Sequence, residues 1–195
     1  MKLSILTATY NRANYLNKLF ESILDNVIDE LDIEWLIMDD GSIDNTSDII
    51  ETIKEKAYNS IDTNHFEIKA FKQENQGKMR AINNLMEYVT GELVMTCDSD
   101  DYFVTDAFKR INEKKDLLLN ENDLYALAFL KNETPQKLSG NQFEKENEET
   151  TMFDLYFKHG ITGEKILVFK TEIRKKYMHE VIERWKIYNR SKNVS

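Results

Sequence analysis

Leu93-Val94-Met95-Thr96-Cys97-Asp98-Ser99-Asp100-Asp101 sets an apolar run of strand length directly before three carboxylates in four residues. A short apolar run that stops at turn-forming residues reads as a buried strand, with the acids projecting from its end. The same pattern occurs three times upstream. Leu3 to Ala8 leads into Thr9-Tyr10-Asn11-Arg12, Ile33 to Met38 into Asp39-Asp40-Gly41-Ser42, and Phe66 to Phe71 into Glu74-Asn75-Gln76-Gly77. Between these strands the apolar residues take helical spacing: Leu16, Leu19, Phe20, Ile23 and Leu24 within 13–27, and Ile82, Leu85, Met86 and Val89 within 78–89. A further helix, carrying Ile49, Ile50 and Ile53, starts at the capping side chains of 44–47 and ends near Tyr58. Alternation of this kind predicts an α/β fold with a mostly parallel central sheet. Ligands of such sheets bind outside the carboxyl ends of the strands, so the four polar loops are expected to share one crevice.

The second half is less regular. It reads as a helix over 105–119, a strand over 124–130, a mobile polar loop over 131–150 containing Pro135 and Gly140, a helix over 152–158, a strand over 166–169 and a final helix after Thr171. At 195 residues, with 41% hydrophobic residues, the chain is expected to form one domain (1–195) with a real core.

Composition narrows the function. A formal charge of −9 argues against broad nucleic-acid binding, which needs a basic surface to displace counterions. The lone Cys97 rules out an internal disulfide framework or a multi-cysteine zinc site and makes the cytoplasm the default compartment. Cys97 itself reads as a small buried residue, and His65, His159 and His179 are too dispersed for a metal site. The apolar run at Leu3 to Leu6 is too brief for a signal peptide or a span, so any membrane contact is expected to be peripheral, through the basic and aromatic segment 174–192. A solvated terminal helix is the alternative there.

Asp98, Asp100 and Asp101 repel one another unless a cation sits among them, and oxygen-only ligands suit magnesium or manganese completed by phosphates and water. The alternative is a solvated acidic turn. In Asp39-Asp40-Gly41-Ser42, Gly41 permits a tight turn and an aspartate can accept hydrogen bonds from a base or ribose; a turn capped by Asp44 or Thr46 is the other reading. Free amides around Gly77, with Lys78 and with Arg80 nearby, suit phosphate or base oxygens, or else form an ordinary glycine loop. Tyr10 either stacks on a planar base or merely ends its strand.

Taken in order, these pieces resemble the family 2 glycosyltransferases of the GT-A fold. The matching segments are Ser4 to Arg12, Asp39 to Asp44, Glu74 to Lys78 with Ala81 and Asn83, and Gly91-Glu92 leading into Asp98 to Asp101. The resemblance implies an inverting transferase with a three-layer α/β/α sandwich, residues 1–106 forming the half that binds the nucleotide sugar and 107–195 a shortened acceptor-side half. It implies a nucleotide diphosphate sugar, with uridine diphosphate as its carrier, and a hydroxyl of a glycan or lipid-linked molecule as acceptor. Ala8 and Tyr10, beside Arg12, would line the nucleobase site, Asp40 would hydrogen-bond the base, and Lys78 would lie near base or diphosphate. Asp98 would approach the ribose or sugar, Asp100 would be the principal Mn2+ or Mg2+ contact, and Asp101 a second ligand. Here Ala8 stands where many members have proline, Arg80 precedes the usual arginine position, and Glu164, in His159 to Lys165, stands where bacterial relatives commonly have aspartate.

Inverting transfer needs a carboxylate to take the acceptor's proton. Glu183 is the first candidate and Glu164 the second, each otherwise an exposed glutamate. Two other functions compete: a non-catalytic domain that binds the donor or a protein partner, and a sugar nucleotidyltransferase. The latter needs a glycine- and lysine-rich loop after the first strand, which Thr9 to Arg12 does not provide.

Overall fold

A computed structural model describes residues 1–60, 65–134, 137–143 and 149–177. In chain order the elements are β1 (Lys2–Thr9), α1 (Ala13–Leu24), β2 (Asp32–Asp39), α2 (Thr46–Ser60), β3 (Phe66–Lys72), α3 (Lys78–Leu85), β4 (Leu93–Thr96), α4 (Ala107–Asn120), β5 (Ala126–Leu130), β6 (Asn132–Thr134), β7 (Lys137–Leu138), α5 (Met152–Phe157) and β8 (Lys165–Lys170). Among the described residues six strands form the central sheet, in the order β3-β2-β1-β4-β8-β5. The first four are parallel, and β8 runs antiparallel to both β4 and β5.

Period-two alternation on the central strands sends side chains to two cores. Leu3, Ile5, Ile33, Trp35 and Ile37 meet α1 (Leu16, Leu19, Phe20, Ile23), α2 (Ile50, Ile53) and α4 (Phe108, Ile111) on one face. Leu6, Leu36, Met38 and Val94 meet Ala81, Ile82 and Leu85 of α3 on the other. Helices on both faces of a mostly parallel sheet make the expected three-layer α/β/α sandwich. The chain leaves β1 for β2 and β3 on one side and returns to β4 on the other, so the strand order reverses at β1, where such sheets bind ligands.

Several expected boundaries move. α3 ends at Leu85, and a turn over 86–88 still delivers Met86 and Val89 to the core. α4 starts at Ala107, after Asp106 takes a left-handed conformation at φ 65°, and Ala107 N–H donates to Asn26 Oδ1 at 2.8 Å. The polar stretch 131–150 is not simply a loop: its described part holds the β6–β7 hairpin and a segment bonded to 160–164. Local polarity hid this because the order comes from buried Ser139 and from contacts some 20 residues away.

One buried charge was not anticipated. Glu34 on β2 is fully buried; its carboxylate accepts from Ser4 Oγ, Thr90 N (2.7 Å), Thr90 Oγ1 (2.8 Å) and Gly91 N (3.1 Å), and Lys69 Nζ lies 3.7 Å away. Burial pushes its pKa up, but these hydrogen bonds outweigh burial and leave it below the usual glutamate value. The network locks the approach to β4 onto β1 and β2, at the sheet edge away from the polar loops.

Candidate active site

Each polar loop leaves the carboxyl end of a parallel strand and is then tied to its neighbour. Asn11, at φ 51°, donates its N–H to Ser42 Oγ (2.9 Å) and accepts Ile43 N–H on Oδ1 (2.9 Å), joining the β1 and β2 loops. Asp39 accepts from Ser42 N and Ser47 Oγ, with Lys72 Nζ at 3.3 Å. Burial raises its pKa, and these donors bring it to a net value below the aspartate norm. Asp40, 3% exposed, accepts from Gln73 Nε2 (2.7 Å), Gln76 N (2.9 Å) and Gly77 N (2.8 Å). Its carboxylate therefore acts as a strut that ties the β2 loop to the β3 loop. Gly41 at φ 81° allows the same approach, since a Cβ there would lie 2.8 Å from Asn75 N.

The acid turn after β4 is balanced by three basic side chains from three different segments. Lys78 Nζ, at the start of α3, lies 2.6 Å from both oxygens of Asp98. Arg12 Nη1 is 3.5 Å from Asp100 Oδ2, a loose pair with both side chains nearly half exposed (46% and 47%). Lys131, just after β5, bridges Asp101 Oδ2 at 2.9 Å and Glu164 Oε2 at 2.7 Å. Burial pulls the Lys131 pKa down, but the bonds to Glu164 and Asp101 outweigh it and hold the ammonium above the ordinary lysine range.

The sequence signal was that these carboxylates need a cation, and side chains supply the cations. Among the described residues no three acidic, cysteine or histidine side chains converge as a metal cage. A Mn2+ or Mg2+ ion bound together with a diphosphate needs only one or two protein carboxylates. Asp100, the more open of the acids, with Asp101 beside it, fits that requirement.

β8 explains how Glu164 reaches this edge. Because β8 runs against the other strands, its first residue, Lys165, pairs with Leu130 at the end of β5, so residue 164 enters from the carboxyl side. Of the two base candidates, Glu164 thus joins the cluster, whereas Glu183 lies outside the described residues. Ala8 and exposed Tyr10 stand where β1 ends. Cys97 is buried beneath the turn; burial first, then the charges of Asp101 and Asp98, push its thiol pKa up. His65 lies apart, with Nδ1 2.8 Å from Asp32 Oδ1. Sequence reasoning missed Lys131 and Ser139; the exit of the fifth strand, treated like the first four, would have pointed to Lys131.

The sequence profile of Glycosyl transferase family 2 matches residues 4–177. A GalNAc(5)-diNAcBac-PP-undecaprenol beta-1,3-glucosyltransferase of Campylobacter jejuni is 28% identical over 180 residues, covering 88% of this chain and 52% of that protein. Among solved structures, Staphylococcus aureus TarS in complex with UDP-GlcNAc superposes with a TM-score of 0.60 at 20% identity, over 90% of this chain and 47% of that one. A mannosyltransferase of Pyrobaculum calidifontis in complex with GDP-Man and Mn2+ gives 0.61 at 16% identity, over 89% and 46%. These likenesses show the GT-A fold. The chain spans between about a fifth and a half of the length of the curated relatives it matches. Among the described residues no helix is long and apolar enough to cross a membrane.

Proposed function

Because the chain belongs to glycosyl transferase family 2, we propose that it transfers a sugar, with inversion, from a nucleotide diphosphate sugar to a hydroxyl of a glycan or lipid-linked acceptor. The observation that carries this reading is the balanced acid turn at the reversal of strand order, where Arg12 and Lys78 sit on Asp100 and Asp98. A diphosphate arriving there would meet two cations within reach and could exchange them from the acids, which would then be open to a divalent ion. When bound, Mn2+ or Mg2+ supplies charge stabilisation of the leaving diphosphate.

Ala8 and Tyr10 would line the base, with Asp40 shaping that pocket through the loop it pins at Gln76 and Gly77. Arg12 and Lys78 would hold the phosphates, Asp98 would face the ribose or sugar, and Asp100 with Asp101 would hold the cation. The base for the acceptor proton is Glu164, supported by its closeness to this turn, or Glu183 of the C-terminal segment. Residues 1–106 would then serve the donor and 107–195 the acceptor. Uridine diphosphate is our preferred donor carrier, supported by the UDP-GlcNAc complex of TarS, although GDP-Man occupies the Pyrobaculum enzyme. The undecaprenol-linked acceptor of the Campylobacter relative supports a lipid-linked acceptor here, met by peripheral contact at a membrane face.

The test is a panel of UDP- and GDP-sugars screened for thermal stabilisation with and without Mn2+, since a ligand that binds only the native state raises its stability. At least one donor should stabilise the wild type in a metal-dependent way, and D100A should lose that dependence. No shift with any donor would sink the proposal. Binding without turnover would leave a donor-binding domain in its place.

A further inference from the structure

The third basic residue at the acid turn differs from the other two. Lys78 and Arg12 each pair with one acid and are about half exposed, whereas Lys131 is 23% exposed and shared between Asp101 and Glu164. One ammonium between two carboxylates leaves that trio net negative, so it is poorly suited to attract a diphosphate. It is well suited to hold two acids in fixed relation.

The surroundings of Lys131 are built to the same end. Its carbonyl accepts Ser139 N–H at 2.8 Å, Ser139 Oγ accepts Glu164 N–H at 3.0 Å, and the Glu164 carboxylate returns to Lys131 Nζ, closing a ring. Asn141 Oδ1 accepts Thr162 N–H at 2.6 Å alongside it. Gly140 and Gly163 pass so closely that a Cβ on either would lie 2.0–2.1 Å from a backbone carbonyl oxygen of the other segment. Lys131, residues 139–141 and residues 160–164 are therefore tied together, and the Lys131–Asp101 contact is a salt bridge from them to the turn after β4.

We infer that Lys131 is a positioning residue for transfer: through Asp101 and Glu164 it fixes the acceptor-side loop relative to the donor-side acid turn. The inference rests on the donor reading above and adds a residue that touches neither donor nor acceptor. Its consequence is a split between binding and rate. Losing the bridge should free Asp101 but leave Arg12, Lys78 and Asp100, the principal cation contact, in place while Glu164 wanders, and misplacement of a reacting group by about an ångström costs up to roughly a hundredfold in rate.

The experiment measures UDP binding at saturating Mn2+ by calorimetry, and release of UDP from the best UDP-sugar of the panel with water as the sugar acceptor, for wild type, K131M, K131R, E164Q and K131M/E164Q. Expected are UDP affinity and donor KM within about twofold of wild type in K131M, with kcat lower by about tenfold to a hundredfold. K131R, which retains charge and reach, should recover most of kcat, a result that loss of folding would not give. The double variant should be no slower than E164Q, because Lys131 acts on the rate only by placing the Glu164 carboxylate, which E164Q has already removed. Unchanged kcat in K131M, full additivity in the double variant, or a loss confined to UDP affinity would each overturn the inference while leaving the donor reading standing. If the wild type binds neither UDP nor GDP with Mn2+, the donor reading fails first and takes this inference with it; wild-type binding without turnover overturns the inference and the transfer step while leaving donor binding standing.

Discussion

Replacing Glu34 by alanine should unfold this protein more readily than any change at the acid turn, although Glu34 lies at the opposite sheet edge. Its carboxylate takes the hydroxyls of Ser4 and Thr90 and the amides of Thr90 and Gly91, in a site closed to solvent. After truncation the Gly91 amide still has Ser4 Oγ at 3.0 Å, but the Thr90 amide loses its acceptor. A buried donor left unsatisfied costs about 1–3 kcal/mol, and a hydrogen bond to a charged group is worth about 1.5–3 kcal/mol. Allowing for partial rewetting, E34A should lose roughly 3–5 kcal/mol, which for a chain of this size lowers Tm by about 10–15 °C. Urea and thermal denaturation followed by circular dichroism measure both. E34Q keeps the shape and one acceptor, so its loss should be smaller.

The pH dependence provides a second check. The folded pKa of Glu34 lies below the reference value of 4.5, so its stabilisation is present above that value and disappears as pH falls through the folded pKa. The gap between wild type and E34Q should accordingly narrow on acidification below about pH 4.5. An E34A protein within about 1 kcal/mol of wild type, or a gap that widens in acid, would refute the reasoning.

Three other outcomes follow from the site. G41A forces a side chain at φ 81° against Asn75 N, and should weaken nucleotide binding by pushing the β2 and β3 loops apart, measurable as a loss of ligand-induced Tm shift. G163A places a Cβ 2.1 Å from Ser139 O, and should raise amide exchange across 139–141 and 160–164 while the donor loops keep their protection. Cys97, buried with a raised pKa, should react with a thiol reagent only at the rate of opening; fast labelling of the native protein at neutral pH would contradict its burial.

Much of the donor side was legible in the chain because its determinants are local. Apolar runs such as Leu93 to Met95 bury themselves by composition, and the residues after them stand at strand ends by chain continuity, so Tyr10, Arg12, Asp40, Lys78 and Asp98 to Asp101 fell at one edge once the sheet was parallel. The use made of each acid was not local. Asp40 reads as a ligand contact from its motif, yet its three donors come from residues 73, 76 and 77, and only folding brings them there.

The second half shows the limit more clearly. Lys131 and Ser139 are ordinary polar residues in a charged stretch, with no neighbour in sequence that signals a role, and Glu164, a base candidate from its own segment, carries nothing local that ties it to Lys131. Their meaning depends on β8 entering the sheet from the carboxyl edge between β4 and β5, a pairing of segments more than thirty residues apart. The sequence by itself determined the strand-and-helix alternation, the two apolar faces and the loops that carry the acids, because periodicity and burial act residue by residue. The tertiary structure decided which cation meets which carboxylate, because charge pairing depends on distance in space, and that distance is set by strand order.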